Sequence, residues 1–453
     1  MRRAPRILAS LCFAVLAISA AQAQEPRKVK VDYKETTLKN GLRVITVEDH
    51  SAPVVAISVN YNVGSRDERK GRTGFAHLFE HMMFQGSENI GKSEHMALVF
   101  NNGGNMNGTT NEDRTVYFEV LPANQLDLTL FLEADRMRSL AITKDNLDNQ
   151  RNAVQEERRL GVDNQPYGKS GEIQQALLYD NFAYKHSVIG SMDDLNAATV
   201  EDVAEFFKIY YAPNNAVLAL VGDFNTKDAL ARIAKNFESI PRQATPPAVD
   251  MTEPEQTAER RATVDDVLAR APRVDLAFKS VAGNTADFYA LQVLSAALQN
   301  GQSSRLYQKL VKEKELTTGV GGFVDEKRGL GALYVTATLK PGATTAAVED
   351  VIYQEIERLK KEPIADWELQ KAKNTTRRAF ITNLQSSLSR AINLTQYAIY
   401  YNDPSLINSR LDKVAAVTKD DVQRVANKYL RDTNRTVVIT VPKAKARAAT
   451  TGQ

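Results

Sequence analysis

Apolar positions in this chain recur with two periods. Alternation over residues 54–62 and 115–120 predicts strands buried on one face. A spacing of three and four predicts helices. In the first of these, with about 100° per residue, Phe75, Leu78, Phe79, Met82 and Met83 share one face, and His77, Glu80 and His81 lie on the other. Over residues 146–160 the inward stripe is Leu147, Gln150, Ala153, Val154 and Leu160; Glu157 falls on that stripe and Glu156 toward solvent. Each half of the chain reads as strands, paired helices, another strand and a closing helix-strand, which predicts an α+β fold.

That pattern is repeated. Thr199, Tyr210 and Asn215, followed by the apolar run 217–221, correspond to Thr418, Tyr429, Asn434 and the run from Thr436, at a constant offset of 219 residues (199 to 418, 210 to 429, 215 to 434). A duplicated α+β unit follows. Between the copies, residues 242–261 hold Pro246, Pro247 and Pro254 and no sustained apolar period, as a linker does. The expected divisions are a leader over 1–23, a first domain over 31–241, the linker 242–261, a second domain over 262–443 and a tail over 444–453.

The leader is read from Arg2, Arg3 and Arg6, an apolar run over 7–20 and Ala21-Gln22-Ala23, a secretory signal with a cleavage site. The run is too short for a comfortable membrane span. Cys12, the one cysteine, leaves with it, so the mature chain has no disulfide. Of 58 lysines and arginines three belong to the leader, leaving 55 against 55 acidic residues. A near-neutral chain without a basic patch does not have the footprint of a nucleic-acid binder. Export points to the periplasm.

The polar face of the first helix carries the chemistry. His77 and His81, four residues apart, can turn their ring nitrogens to one zinc ion, and Glu80 flanks them as a general base, the inverted H-x-x-E-H order. Glu157 is the third ligand, because a carboxylate on an inward stripe is costly unless a cation receives it. His50, His95 and His186 have no partner at ligand spacing and read as surface or structural residues. Aligning Gly86 with Gly301 sets Gln292, Ser295 and Ala296 opposite His77, Glu80 and His81, so the second copy cannot bind zinc there.

These residues, with Asn40-Gly41-Leu42, Gly103-Gly104-Asn105-Met106-Asn107-Gly108-Thr109-Thr110, Arg151-Asn152-Ala153-Val154-Gln155-Glu156-Glu157, Pro213-Asn214-Asn215 and Gly222-Asp223, resemble the pitrilysin family of zinc peptidases. The resemblance spans nearly the whole mature chain. It implies two homologous α+β sandwich domains facing each other as a clamshell, one zinc per chain held by His77, His81 and Glu157, and Glu80 as catalytic base. It also implies that unfolded peptides are held as an added strand on a sheet edge carrying an Asn-Ala pair in the family; Asn107 and Gly108 stand at those positions. Two departures matter. Gln150 replaces a glutamate that many relatives place before the Arg-x-x-Val-x-x-Glu stretch. Val311 and Thr318 stand where self-sufficient relatives carry an arginine and a tyrosine that help hold the substrate carbonyl, and Arg305 and Tyr307 are poorly spaced substitutes. A zinc-less homologous subunit is therefore the expected partner, with a homodimer as a further form. The alternative is a non-catalytic peptide-binding or scaffold subunit.

Overall fold

The computed structural model describes residues 30–443. The expected leader with its cleavage site and the expected tail lie outside the described residues. No helix among the described residues is long and apolar enough to cross a membrane.

The first half builds a six-stranded sheet from β1 (Lys34–Thr37), β2 (Arg43–Glu48), β3 (Val54–Tyr61), β4 (Asn105–Thr110), β5 (Thr115–Pro122) and β6 (Ala216–Gly222), in the order β1-β2-β6-β3-β5-β4. The second half builds a five-stranded sheet from β7 (Arg260–Asp266), β8 (Arg273–Lys279), β9 (Thr317–Gly321), β10 (Ala332–Leu339) and β11 (Arg435–Pro442), in the order β7-β11-β8-β10-β9. The orders match strand for strand if β2 is set against β7 and β6 against β11. Those two pairs, β2 with β6 and β7 with β11, are both parallel.

The duplication extends to individual hydrogen bonds. Thr199 and Asp202 close a capping box on helix Val200–Tyr210, and Thr418 and Asp421 close the same box on helix Lys419–Tyr429. After each helix an asparagine ties back its last turn: the Asn215 amide donates to the Tyr210 carbonyl at 2.8 Å and the Asn434 amide to the Tyr429 carbonyl at 2.7 Å. Gly86 and Gly301 both take positive φ, 108° and 81°. In the second copy Ser295 and Ala296 are buried on helix Ala286–Gln299, where Ser295 accepts the Gln299 amide, and no ligand set forms there among the described residues.

One expectation needs correction. β3 is buried along both faces rather than one. Val55, Ile57, Val59 and Tyr61 enter the first-half core, as alternation requires. The opposite face is covered by helix Ser387–Tyr401, which belongs to the second half in sequence. Its Leu394, Tyr397 and Ala398 pack on Ile45, Val47, Val217, Ala219 and Val221, and Thr395 lies 3.1 Å from Ser58 Oγ. The exchange is reciprocal. Helix Gly168–Leu178 of the first half packs on the second sheet, with Leu178 against Ala277 and Ala332 and Ser170 2.6 Å from Thr440. The two helices begin 219 residues apart, so the duplicated unit trades the same element in both directions. Each fully buried aliphatic side chain in these layers contributes about 1.5–3 kcal/mol.

Candidate metal centre

Helix Phe75–Met82 sets the centre. Phe75, Leu78, Phe79 and Met82 are buried in the first-half core, which turns His77 and His81 outward to the cleft. Their rings meet edge to face with centroids 4.8 Å apart. Helix Lys144–Arg158 brings Glu157 over them: Glu157 Oε2 lies 3.6 Å from His77 Nε2 and 3.4 Å from His81 Nε2.

These distances test the fit of an ion. Ligand atoms about 2.0–2.1 Å from a tetrahedral zinc lie roughly 3.3–3.4 Å from one another. The three atoms already stand close to that separation. Burial, reinforced by His81, pushes the His77 imidazole down to about 4, so it is neutral near pH 7, as a ligand must be. His77 Nδ1 is buried without a hydrogen-bond partner. His81 Nδ1 faces Gln150 Oε1 at 3.3 Å, which favours the tautomer that leaves Nε2 free for a metal.

Glu80 is buried beside the two histidines. The Thr110 hydroxyl donates to its Oε2 at 2.6 Å. Burial pushes the carboxyl up to about 7, with Thr110 pulling it down and Glu157 pushing it further up. A carboxyl balanced there can take a proton and return it near neutral pH. Asn107 and Gly108 lie on β4, the edge strand of the first sheet, with Asn107 exposed and Gly108 in contact with Glu80. A Cβ on Gly108 would stand 3.0 Å from Glu80 Cγ. Next to them a cavity of about 360 Å³ is lined by Glu80, His81, Phe84, Met96, Phe100 and Met106.

The sequence reading picks out Glu157 through a stripe that the structure only partly keeps. Leu147, Gln150 and Val154 are buried, while Ala153 and Leu160 are exposed and the Glu157 side chain is 54% exposed. The α-helix ends at Arg158 and a π-turn follows over Arg159–Asp163, which rotates Leu160 out of register. Glu157 therefore reaches the histidines from the solvent-exposed side of the site. Glu156 turns to solvent and pairs with Arg159.

The other histidines separate. His50 is exposed and pairs with Asp223 and Glu48. His186 is tucked beneath the first helix against Glu68. His95 does have partners at ligand distance, contrary to expectation. With Glu119 and Glu133 it forms a second buried cluster whose ligand atoms lie within 4.8 Å of one another. Arg136 fills the cation's place there, bonded through two nitrogens to Glu133 and 3.9 Å from Glu119. Glu119 and Glu133 come from a strand and a helix that sequence spacing does not connect. Arg305 is held by Glu368 through two hydrogen bonds of 2.7 and 2.8 Å, a structural role.

Residues 43–184 match the family described as Insulinase (Peptidase family M16), and residues 197–376 the one described as Peptidase M16 inactive domain. The zinc protease PqqE of Helicobacter pylori is 32% identical over 431 residues, covering 94% of this chain and 97% of that protein. The chain belongs to the M16 peptidase family. Another M16 relative is the beta subunit of the mitochondrial-processing peptidase of Lentinula edodes, 23% identical over 88% of this chain and 87% of the subunit. The crystal structure of a protease from Helicobacter pylori superposes with a TM-score of 0.87 at 33% identity, covering 91% of this chain and all of that one. A structure described as the peptidase M16 inactive domain of Pseudomonas fluorescens shares the fold, with a TM-score of 0.81 at 20% identity over 92% of this chain and 99% of that one. The structure named as a protease and the one named as an M16 inactive domain thus share one fold with this chain. In this chain the first half holds the His77, His81 and Glu157 cluster, and Gln292, Ser295 and Ala296 occupy the second.

Proposed function

We propose that this chain is a zinc-dependent endopeptidase acting on unfolded peptides, with one zinc held by His77, His81 and Glu157. The convergence of His77 Nε2 and His81 Nε2 on Glu157 Oε2, at 3.6 and 3.4 Å, carries the reading. Bound there, zinc supplies a Lewis acid and an activated water. Glu80 takes the proton from the attacking water and returns it to the leaving amine, and Thr110 holds the Glu80 carboxylate in place through the 2.6 Å hydrogen bond. The exposed β4 edge, with Asn107 and Gly108, receives the peptide backbone as an added strand, which suits substrates of any sequence. The working units are the domains 31–241 and 262–443 joined by the segment expected at 242–261, whose last two residues, Arg260 and Arg261, already pair in the second sheet as the start of β7, and the leader directs the chain to the periplasm.

With Val311 and Thr318 at the arginine and tyrosine positions, a zinc-less homologous subunit completes the site. Purified chain assayed alone and with such a subunit tests this: full turnover by the monomer refutes the need for a partner. Metal analysis together with Glu80→Gln tests the chemistry. The variant is expected to keep one zinc per chain and lose cleavage, and zinc is expected to raise the melting temperature of the parent and not of His81→Ala. If Glu80→Gln cleaves as fast as the parent, Glu80 is not the base.

A further inference from the structure

The loop between β9 and β10 reaches from the second half into the first, and its successive side chains divide between the two. Glu326 stays with the second half, where Arg410 donates to it at 2.8 and 2.6 Å and the Tyr401 hydroxyl at 2.6 Å. Lys327 crosses over and donates to Glu112 at 2.9 Å. The Arg328 backbone N–H donates to Asp113 Oδ2 at 2.9 Å, and its guanidinium bonds Asn62 Oδ1.

Glu112 and Asp113 form the turn between β4 and β5. Thr110, the residue that donates to Glu80, is the last of β4 and only two positions before Glu112. Inside the turn, Asn111 Oδ1 accepts the Asp113 and Arg114 amides at 2.8 and 2.9 Å, and its own amide donates to the Tyr400 hydroxyl at 2.9 Å. Tyr400 also belongs to the second half. The Lys327 and Asp113 side chains are 6% and 2% exposed, so these contacts are made away from water, where removing one partner strands the other.

We infer that Lys327 and Arg328 are positioning residues for the first-half metal centre. By clamping Glu112 and Asp113 they fix the β4–β5 turn so that Thr110 meets Glu80. The catalytic part of this inference rests on the peptidase reading above. Neither residue touches the reacting atoms, so the signature is a change in kcat rather than in KM.

The test compares the zinc-loaded parent with Lys327→Gln, Lys327→Arg and Glu112→Gln, each assayed together with a zinc-less homologous subunit, and adds Thr110→Val alone and combined with Lys327→Gln. Peptide cleavage gives kcat and KM, and amide hydrogen exchange reports on residues 105–114. Lys327→Gln and Glu112→Gln are expected to lower kcat about tenfold, to leave KM within about twofold, and to speed exchange over 110–114. Lys327→Arg restores both. In the Thr110→Val background Lys327→Gln adds little, because both act through one contact. A fall in melting temperature with kcat and exchange at parental values overturns the inference, as does full additivity with Thr110→Val. If Lys327→Gln does not fold, Glu112→Gln carries the same comparison. A zinc-loaded parent that cleaves no peptide even with a zinc-less homologous subunit present sinks the peptidase reading instead. Exchange alone then decides the clamp, and unchanged protection over 110–114 overturns it.

Discussion

His186 Nε2 stands 2.9 Å from Glu68 Oε2, directly beneath the start of the helix that carries His77, Glu80 and His81. The same carboxylate accepts the Gly74 and Ala76 backbone N–H groups at 2.9 and 2.8 Å. Gly74 has no side chain to cap this helix, and Glu68 does so from outside it. The other nitrogen of His186 faces the Phe182 carbonyl at 2.8 Å. With acceptors on both sides, the ring is favoured as an imidazolium.

That arrangement makes the support of the site helix depend on pH. Burial pushes the His186 pKa down, but the hydrogen bond and charge of Glu68, with the carbonyls of Phe182 and Ser65, outweigh it, and the net shift is upward from 6.5. A group raised in the folded state contributes its full stability below its unfolded pKa, about 6.5, and loses it as pH rises through the folded value. His186→Ala is therefore expected to cost about 3 kcal/mol at pH 6, with the gap to the parent narrowing at alkaline pH. Denaturant unfolding of both proteins from pH 6 upward measures the gap. A gap that stays constant shows that His186 is not charged in the fold.

Local relationships account for what the sequence makes legible. His77, Glu80 and His81 follow from helical spacing alone, and the duplication is visible because Thr199 and Asn215 recur as Thr418 and Asn434 with their hydrogen bonds intact. Glu157 is also legible, although its stripe breaks where the helix widens after Arg158. Contacts between distant segments are not legible. Glu68 with His186, Glu119 with His95, and Lys327 with Glu112 join positions whose pairing no periodicity encodes. The two-sided burial of β3 has the same origin, since the covering helix comes from the far half of the chain.

Gln150 gives the second prediction. Its Oε1 holds His81 Nδ1 at 3.3 Å, so the glutamine does the orienting work expected of a carboxylate, without the charge. Gln150→Ala is expected to weaken zinc binding about tenfold and Gln150→Glu to strengthen it by increasing the basicity of His81. Competition with a metal chelator gives the affinities. Equal affinity in all three proteins means that Gln150 does not influence the centre.

The exchanged helices give the third. A chain ending at residue 241 retains His77, Glu80, His81 and Glu157, yet it lacks helix Ser387–Tyr401. Ile45, Val47, Val217, Ala219 and Val221 then form an apolar face with no cover, a surface that favours aggregation over a folded monomer. The fragment is expected to be insoluble or to bind a hydrophobic dye and to hold zinc poorly. In the full chain, Leu394→Ala removes the same cover in part and should cost about 2–5 kcal/mol. Its unfolding should remain a single transition, with probes in the two halves coincident, because each sheet depends on a helix from the other half. A soluble, monomeric fragment that unfolds cooperatively and binds zinc like the full chain would show that the first half needs nothing from the second.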